Sequence, residues 1–364
     1  MQNARQKIDE LVSYYRRNGL VKTGRSIVDK AVQLIRPAVD PFEYRYPEEI
    51  SIEIMDICNL RCPHCYLPAQ RHSDPGLMDL DLFKRIIERI SPLIGRAKKT
   101  SFPSIEPLFH NKIFEMVDCV KEKNKNIAIP INTNAMLLDD TKIDNLLKRK
   151  VYRYYISLDG CTKETVESFK IGADFDKVVR NIRRLKEKGG DRVFMIANYV
   201  LHRKNAHELL NYVDFCKDLG MRAIHVSGFI THTPEMTRDC LYSENGIKEI
   251  DELFEKAKKK AAAVGIGFFH CGTKLKPGGC ALASTMYIDK KGNVAPCVSF
   301  VRKTRMVLLD KSGTTEPVLW GNVLTEDPYR IWTSKASVDH RRLLLERKLP
   351  EECSLCAEGL SVVH

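Results

Sequence analysis

The sequence predicts an α/β fold built on a parallel sheet, followed by a smaller cysteine-rich region. Between residues 49 and 232, six short apolar segments alternate with five segments whose apolar residues recur at helical spacing. Such strand–helix–strand alternation is typical of parallel sheets with right-handed crossovers. After residue 243 the alternation stops and four widely spaced cysteines follow. We therefore expect three regions: 1–48, 49–242 and 243–364.

Composition indicates a globular enzyme. The 364 residues are 43% hydrophobic and 29% charged, and they suffice for one large and one smaller domain. No run of about 18 apolar residues is present, so no transmembrane helix is expected. The first ten residues lack an apolar signal core, which predicts a cytoplasmic protein. Twelve cysteines in a cytoplasmic chain indicate metal or redox use rather than disulfides.

The net charge of +12 has two interpretations. One is general solubility, and the other is an anionic partner such as nucleic acid, a phosphorylated substrate or a membrane surface. The basic residues are spread along the chain rather than gathered beside aromatic residues, which argues against nucleic acid.

The first region, residues 1–48, predicts two short amphipathic helices with basic faces. Gly19 and Gly24 separate them, and Pro37 and Pro41 end the segment. Packing on the core as an N-terminal extension is the simpler interpretation. Docking of a partner or contact with a membrane surface is the alternative.

The middle region supplies the elements of the sheet. Strands are predicted at 51–56, 100–104, 127–132, 154–159, 193–200 and 223–227. Helices are predicted between them at 79–90, 112–122, 140–148, 176–188 and 206–219. Functional residues of such folds gather at the carboxyl ends of the parallel strands.

Three cysteines follow the first predicted strand, at Cys58, Cys62 and Cys65. Asn59 and Pro63 suit the tight turns that such a loop needs. A four-iron cluster normally takes four thiolates, so three thiolates leave one iron open to a substrate or cofactor. The alternative is a structural zinc site with its fourth ligand elsewhere in the chain.

The C-x3-C-x2-C spacing, followed by the aromatic Tyr66, resembles the signature of the radical S-adenosylmethionine superfamily. The resemblance implies an open (β/α)6 partial barrel, similar to a TIM barrel. It also implies a [4Fe–4S] cluster whose open iron chelates S-adenosylmethionine (AdoMet). Reductive cleavage of AdoMet would then give a 5′-deoxyadenosyl radical that removes a hydrogen atom from the substrate.

The C-terminal region carries a second cysteine set: Cys280, Cys297, Cys353 and Cys356. Residues 285–288 and 293–294 flank Asp289-Lys290-Lys291-Gly292, a predicted hairpin turn that brings Cys280 and Cys297 toward each other. The Cys353-x2-Cys356 pair forms a tight two-ligand loop. Spacing alone leaves zinc and iron–sulfur open for this set.

The order C-x11-G-x4-C followed by C-x2-C resembles the SPASM/twitch extension of the same superfamily. No cysteine follows Cys356, which matches the shorter twitch form. The resemblance therefore implies one auxiliary [4Fe–4S] cluster held by four cysteines. Its expected role is electron transfer, for instance as the acceptor of an electron from a substrate radical.

Further cofactor-binding residues are expected from the resemblance at or after the strand ends. They are Tyr66, Ser104, Glu106, Asn132, Ser157, Asp159, Lys170 and Asn198. Glu106-Pro107 stands where the family has Gly-Gly-Glu-Pro, with both glycines absent. Lys170 occupies the approximate place of an arginine that pairs with the methionyl carboxylate. Asn198 faces either the ribose or the substrate, or it is a polar residue of the barrel interior.

Two other cysteines are candidate hydrogen-atom donors, as a radical epimerase would need. Cys240 and Cys271 lie near predicted strand ends or loops. An extra metal ligand and an ordinary structural cysteine are the alternatives for each.

The expected function is that of a radical AdoMet enzyme that modifies a ribosomally made peptide, with a flavodoxin- or ferredoxin-type electron donor. The first region is shorter than the winged-helix leader binder of many peptide modifiers, which keeps a second hypothesis open. That hypothesis is a dehydrogenase or epimerase of a sugar or aminocyclitol. A zinc-stabilised module that binds protein or nucleic acid is the alternative from another class.

Overall fold

The structure is a computed structural model, in which residues 46–65, 76–103, 106–277 and 280–360 are described. The predicted N-terminal helices lie outside these residues, as do Tyr66 and Ser104. No helix within the described ranges has the length and apolarity needed to span a membrane.

Twelve strands are present in the described residues. In chain order they are β1 (Glu49–Ile52), β2 (Lys99–Ser101), β3 (Ile131–Thr133), β4 (Arg153–Ser157), β5 (Phe194–Leu201), β6 (Ala223–Gly228), β7 (Gly267–His270), β8 (Thr285–Ile288), β9 (Asn293–Ala295), β10 (Thr304–Leu308), β11 (Lys311–Thr315) and β12 (Gly321–Asn322). Every predicted strand of the middle region has an observed counterpart, with ends displaced by a few residues.

Nine α-helices connect or flank these strands in the described part of the chain. They are α1 (Leu80–Ile94), α2 (Ile113–Lys123), α3 (Asp140–Lys148), α4 (Lys163–Phe169), α5 (Phe175–Gly189), α6 (Leu209–Asp218), α7 (Lys248–Val264), α8 (Pro328–Trp332) and α9 (Lys335–Leu345). The pattern predicts α1, α2, α3, α5 and α6 of the middle region but misses the seven-residue α4.

The strands form a parallel barrel wall, as predicted for the α/β fold. Strands β3, β4, β5, β6 and β7 are adjacent in that order, and each neighbouring pair is parallel. A parallel bridge from Lys99 to Ala128 joins β2 to the chain just before β3. Strand β7 extends the wall beyond the six predicted units, because residues 267–270 pair with β6.

The C-terminal hairpin is part of the same wall. Strand β8 pairs in parallel with β1, with Ile50 opposite Met286, and β9 pairs with β8 in antiparallel fashion. The predicted turn is confirmed, since Gly292 has φ +84° and its N–H donates to the carbonyl of Asp289. The hairpin that follows Cys280 therefore lies beside the strand that leads into Cys58.

Alternating burial explains the packing of the barrel. In β5 every second side chain is buried, and the helices bury one face against the strands. Helix α1 shows the same principle, with Phe83, Ile86, Ile87 and Ile90 buried at helical spacing. Asp79 begins α1 by accepting from two backbone N–H groups of its first turn.

Two buried ion pairs join β1 to the C-terminal region. Arg302 donates to both oxygens of Glu53, at 2.8 and 2.7 Å, and the Glu53 side chain has no solvent exposure. Lys290 in the hairpin turn pairs with buried Asp56 at 2.9 Å. Because an uncompensated buried charge is costly, these pairs fix two parts of the C-terminal region against the segment between β1 and the first cysteine set.

Candidate functional site

An open cavity of about 350 Å³ lies at the carboxyl ends of the barrel strands. It is the point where β3, β4, β5 and β6 end, as the parallel arrangement requires. The residues that line it are Cys58, Leu60, Cys62, His64, Cys65, Glu106, Asn132, Thr133, Asn134, Tyr155, Ser157, Lys170, Asn198, Val200, Ser227, Gly228, Ile230, His232 and Glu358. We call it the main cavity.

The loop with the first cysteine set forms one wall of the main cavity. All three thiols are half-buried. The Cys58 sulfur accepts from the Leu60 N–H at 3.4 Å, and the Cys65 N–H donates to the Cys62 carbonyl. Burial raises the pKa of Cys62 to about 11. A metal bound by these thiols would have to displace their protons, and its charge would then stabilise the ionised form.

Glu106 is a buried acid at the end of β2 and the start of a short 3-10 helix. Its oxygens accept from the Thr133 hydroxyl at 2.9 Å and from the Asn134 N–H at 2.7 Å. It also accepts from the Leu108 N–H at 3.2 Å. Burial nevertheless raises its pKa to about 7, with these hydrogen bonds acting in the opposite direction.

Lys170 is fully enclosed at the C-terminal end of α4. Its ammonium lies 2.9 Å from Asp159 and donates to the Ser157 hydroxyl at 2.7 Å. Burial opposes the charge of Lys170, but Asp159 outweighs it and raises the lysine pKa. Burial also opposes ionisation of Asp159, and the same ion pair holds the aspartate pKa below its usual range. The pair is charged at neutral pH.

The remaining predicted cofactor residues divide by position. Asn132 and Asn198 line the main cavity, and the Asn198 Oδ1 is buried with no hydrogen-bond partner in the described residues. Asp159 is not among the lining residues, because it lies behind Lys170 and accepts from the Val200 N–H at 2.8 Å. Tyr66 and Ser104 lie outside the described residues.

Several lining residues were not predicted from the sequence. Asn134 donates to Asn59 at 2.9 Å and so ties the cysteine loop to the end of β3. His232 has its Nδ1 3.0 Å from the Arg305 carbonyl. Glu358, two positions after Cys356, also lines the cavity. Asn134 lies two residues after a predicted strand end and Glu358 two residues after Cys356, so both had a signal in the sequence. His232 follows the last predicted strand by five residues and belongs to no motif.

The structure does not bring Cys240 and Cys271 to the main cavity. The Cys240 thiol is buried and faces the carbonyls of Phe229 and Met236. Cys271 lines a separate small cavity beside Tyr242 and donates to the Gly272 carbonyl at 3.3 Å. Both sequence positions lie near strand ends, but the backbone turns their side chains away from the cavity.

Cys353 interacts electrostatically with the other three thiols of the second cysteine set. Burial first, and then the other three thiols of this set, raise the pKa of Cys353. Burial likewise raises the pKa of Cys297 to about 12, and that of Cys356 to about 11. The Cys356 N–H donates to the Cys353 carbonyl at 3.0 Å, which forms the expected turn. Four thiols from distant parts of the sequence therefore share one buried environment.

No group of three or more His, Cys, Asp or Glu side chains within the described ranges is arranged to hold a single metal ion. The donor sets themselves suit iron–sulfur clusters, which prefer soft thiolate ligands. The main cavity also offers an orphaned buried oxygen, the Asn198 Oδ1, as a hydrogen-bond acceptor for a bound cofactor. The residues present thus fit a cluster with AdoMet at the first set and a second cluster at the other.

The raised pKa of Glu106 predicts a pH-dependent stability of the apoprotein. Between the ordinary value of 4.5 and the folded value of about 7, the folded state binds more protons than the unfolded state. Stability therefore falls as the pH rises through this window, by up to about 3 kcal/mol relative to Glu106→Gln. Urea unfolding of both proteins from pH 5 to pH 8 measures the difference.

The exposed Glu122→Gln variant controls for loss of a surface charge in that experiment. It should follow the wild-type pH dependence throughout. A stability difference between wild type and Glu106→Gln that stays constant over the pH range would contradict the prediction.

Comparison with protein families gives the identity of the barrel. The model of the radical SAM superfamily matches residues 52–216. The chain belongs to the radical SAM superfamily. A second family model, the iron–sulfur cluster-binding domain SPASM, matches residues 280–357. The protein is therefore a radical SAM enzyme of the SPASM/twitch subgroup, with AdoMet, a [4Fe–4S] cluster and an auxiliary [4Fe–4S] cluster as cofactors.

Curated relatives of this radical SAM enzyme include a cofactor-modifying protein and a bacteriocin biosynthesis protein. The tungsten-containing aldehyde ferredoxin oxidoreductase cofactor-modifying protein of Pyrococcus furiosus is 25% identical over 317 residues, which cover 85% of this chain and 86% of the relative. The subtilosin biosynthesis protein AlbA of Bacillus subtilis is 24% identical over 277 residues. That match covers 72% of this chain and 57% of AlbA.

Solved structures share the fold. SuiB of Streptococcus suis, bound to S-adenosylmethionine, matches with a TM-score of 0.62 and 16% identity over 97% of this chain and 84% of SuiB. The anSMEcpe structure with bound AdoMet matches with a TM-score of 0.59 and 18% identity over 86% of this chain and 89% of anSMEcpe. These likenesses support the predicted partial barrel.

Proposed function

We propose that this radical SAM enzyme removes a hydrogen atom from a peptide substrate held in the main cavity. The observation that carries the proposal is that the three motif cysteines, Glu106, Ser157 and Lys170 line one cavity at the strand ends. When bound, the first cluster and AdoMet supply a 5′-deoxyadenosyl radical that abstracts the hydrogen atom. The protein's part is to position the substrate and the cofactor and to limit access of water.

The residues of the cavity have complementary roles in this proposal. Cys58, Cys62 and Cys65 would hold three irons and leave the fourth for AdoMet. Glu106 would accept hydrogen bonds from the methionyl amino group, and Lys170 would pair with the methionyl carboxylate. Because Lys170 is already paired with Asp159, its ammonium is held in place before AdoMet arrives.

Residues at the carboxyl ends of β3, β4 and β5 are proposed to contact the ribose and the substrate. The unpartnered Oδ1 of Asn198 accepts from a ribose hydroxyl, which would satisfy an otherwise orphaned oxygen. Asn132 and Ser157 offer further polar contacts to the cofactor. Asp159 acts through Lys170 rather than by direct contact with AdoMet.

The peptide class of substrate is supported by relatives that modify peptides. AlbA belongs to bacteriocin biosynthesis. SuiB has been solved with the precursor peptide SuiA, and anSMEcpe with the Cp18Cys peptide. The main cavity is open, which gives an extended peptide access to the strand ends.

Oxidation of the peptide is favoured over epimerisation by the composition of the cavity wall. A radical epimerase needs a hydrogen-atom donor, usually a thiol, close to the substrate. The cysteines among the described lining residues are the three of the first set, which hold the cluster in this proposal. A one-electron donor of the flavodoxin or ferredoxin type is the redox partner that we propose.

A small molecule is the second candidate substrate. The Pyrococcus furiosus relative, whose match spans most of both chains, is named for modification of a cofactor.

The test begins with anaerobic reconstitution, AdoMet and dithionite. Release of 5′-deoxyadenosine is the expected result, and its absence would contradict the assignment of the site.

Co-expression with each short peptide encoded beside the gene should then give a peptide that has lost two hydrogen atoms, detected by mass spectrometry. Unmodified peptides together with a modified small molecule in the same cells would favour the second candidate.

Cys353→Ser separates the two cysteine sets. Loss of one of four thiols of the second set should lower the iron content from about eight to about four atoms per chain. AdoMet cleavage should persist in part, because the first set is intact, whereas formation of modified product should fail. Iron analysis and chromatography of both products measure this. Cys119→Ser, a half-buried thiol outside both sets, is the matched control and should retain both activities.

Wild-type product yield in Cys353→Ser would contradict an electron-transfer role for the second set. Loss of AdoMet cleavage as complete as that of product would show that the two sets do not act separately.

A further inference from the structure

The loop with the first cysteine set is fastened to the end of α4. The His64 ring stacks on the Phe169 ring, with centroids 4.1 Å apart and planes 5° from parallel. The Arg61 N–H donates to the Ile171 carbonyl at 3.0 Å. One contact uses side chains and the other uses backbone, so the loop and the end of α4 are held together over several residues.

Gly172, after α4, lies beside the cysteine loop. A Cβ at this position would lie 3.6 Å from the Leu60 side chain and 3.8 Å from the Asn59 carbonyl, which are ordinary van der Waals distances. The φ of +92° is the feature that favours glycine here.

The second face of Phe169 is covered as well. His202, which follows β5, stacks on it with centroids 3.8 Å apart and planes 19° from parallel. Phe229 packs against the same ring at 5.9 Å. Phe169 and His202 are buried. We call His64, Phe169 and His202 the ring stack, and it spans from the cysteine loop to the end of β5.

Phe169 is also the neighbour of Lys170. Lys170 is the first residue after α4. Its ammonium contacts Ser157 and Asp159 on the β4 side of the main cavity. Since the ring stack fixes Phe169, it fixes the helix end that carries the ammonium. The cysteine loop and the lysine are thus held by one aromatic residue.

We propose that Phe169 is a positioning residue that couples AdoMet binding at Lys170 to the geometry of the loop that carries Cys58, Cys62 and Cys65. The inference rests on the proposed function, in which the loop and the lysine contact opposite parts of the same cofactor. Coupling between two contacts is reciprocal, so a loosened ring stack weakens AdoMet binding without loss of any cofactor-binding group.

Four variants test the coupling in the reconstituted enzyme. Phe169→Leu keeps an apolar side chain but removes both ring stacks, and Phe169→Tyr keeps them. His202→Leu removes the stack of His202 on Phe169, on the face of Phe169 away from the cysteine loop. It is a second, independent variant that weakens the ring stack. Phe175→Leu is the matched control, because Phe175 stacks on Phe215 at 5.8 Å in neighbouring helices.

Equilibrium binding of AdoMet and its effect on the electron paramagnetic resonance spectrum of the reduced first cluster are the measurements. Phe169→Leu should weaken binding about tenfold, the size expected for the loss of two ring stacks, and His202→Leu about threefold. The spectral change on addition of AdoMet should diminish in parallel. Phe169→Tyr and Phe175→Leu should stay within about twofold of the wild type, with iron content unchanged in all four.

Wild-type affinity and spectra in both Phe169→Leu and His202→Leu would overturn the inference. An equal loss in Phe175→Leu would also overturn it, because general packing would then explain the effect. Failure of the wild-type protein itself to bind AdoMet would instead refute the proposed function, and the two failures are therefore distinguishable.

Discussion

Replacement of Cys62 by alanine is expected to abolish AdoMet cleavage. Cys62 lies in the middle of the first cysteine set and lines the main cavity. Two remaining thiols are too few to hold a four-iron cluster with one open iron. Iron should fall from about eight to about four atoms per chain. Release of 5′-deoxyadenosine, measured by anaerobic chromatography, should drop below detection.

Cys119→Ala is the control for this variant. Cys119 is a half-buried cysteine in α2 that belongs to neither set and does not line the main cavity. It should keep the full iron content and the wild-type cleavage rate. Cleavage at the wild-type rate by Cys62→Ala would mean that the cluster is held elsewhere, and the site assignment would be wrong.

Part of the main cavity could be predicted from the sequence because parallel strands share a carboxyl edge. Glu106, Ser157 and Asn198 each follow or end a different predicted strand, and the structure brings all three to one cavity. The strand ends were less predictable. Strand β1 ends at Ile52 instead of 56, because the chain then bridges from Met55 to Leu77 rather than continuing beside β2.

Contacts between distant segments could not be predicted from the sequence pattern. The hairpin of β8 and β9 was predicted, but its parallel pairing with β1 was not, because periodicity within a segment does not identify its neighbour in the sheet. The ring stack was missed for the same reason, as its three rings come from separate segments.

Helix α4 shows a local signal that was overlooked. It spans only seven residues, too few for a helical periodicity to stand out. Thr162 nevertheless accepts from the Thr165 N–H as an N-cap, and Glu164 lies in the first turn. These capping residues are visible in the sequence and would have predicted a helix that ends beside Lys170.

Lys170→Met is expected to destabilise the protein and to suppress AdoMet cleavage together. The substitution leaves Asp159 buried without its cation, since the Asp159 side chain has no solvent exposure and Lys170 lies 2.9 Å away. Breaking such a pair from one side costs about 3–5 kcal/mol. AdoMet loses the partner of its carboxylate at the same time, so cleavage should fall by about two orders of magnitude or more.

The pH dependence of this destabilisation has a definite sign. In the wild type the ion pair holds the pKa of Asp159 below its usual range, so the pair stabilises the fold above the unfolded value of 3.8. Without Lys170, burial favours the protonated acid, and ionisation of Asp159 then lowers stability as the pH rises. The stability difference between wild type and Lys170→Met should therefore widen from pH 4 to pH 8, as measured by chemical denaturation of the apoproteins.

The double variant Asp159→Asn/Lys170→Met separates stability from cofactor binding. It has no unpaired buried charge, so its free energy of unfolding should recover most of the loss, while AdoMet cleavage should stay low because the carboxylate partner is still absent. Recovery of cleavage along with stability would show that Lys170 serves only the fold. Equal instability of the single and double variants would show that the lysine contributes through packing rather than through its charge.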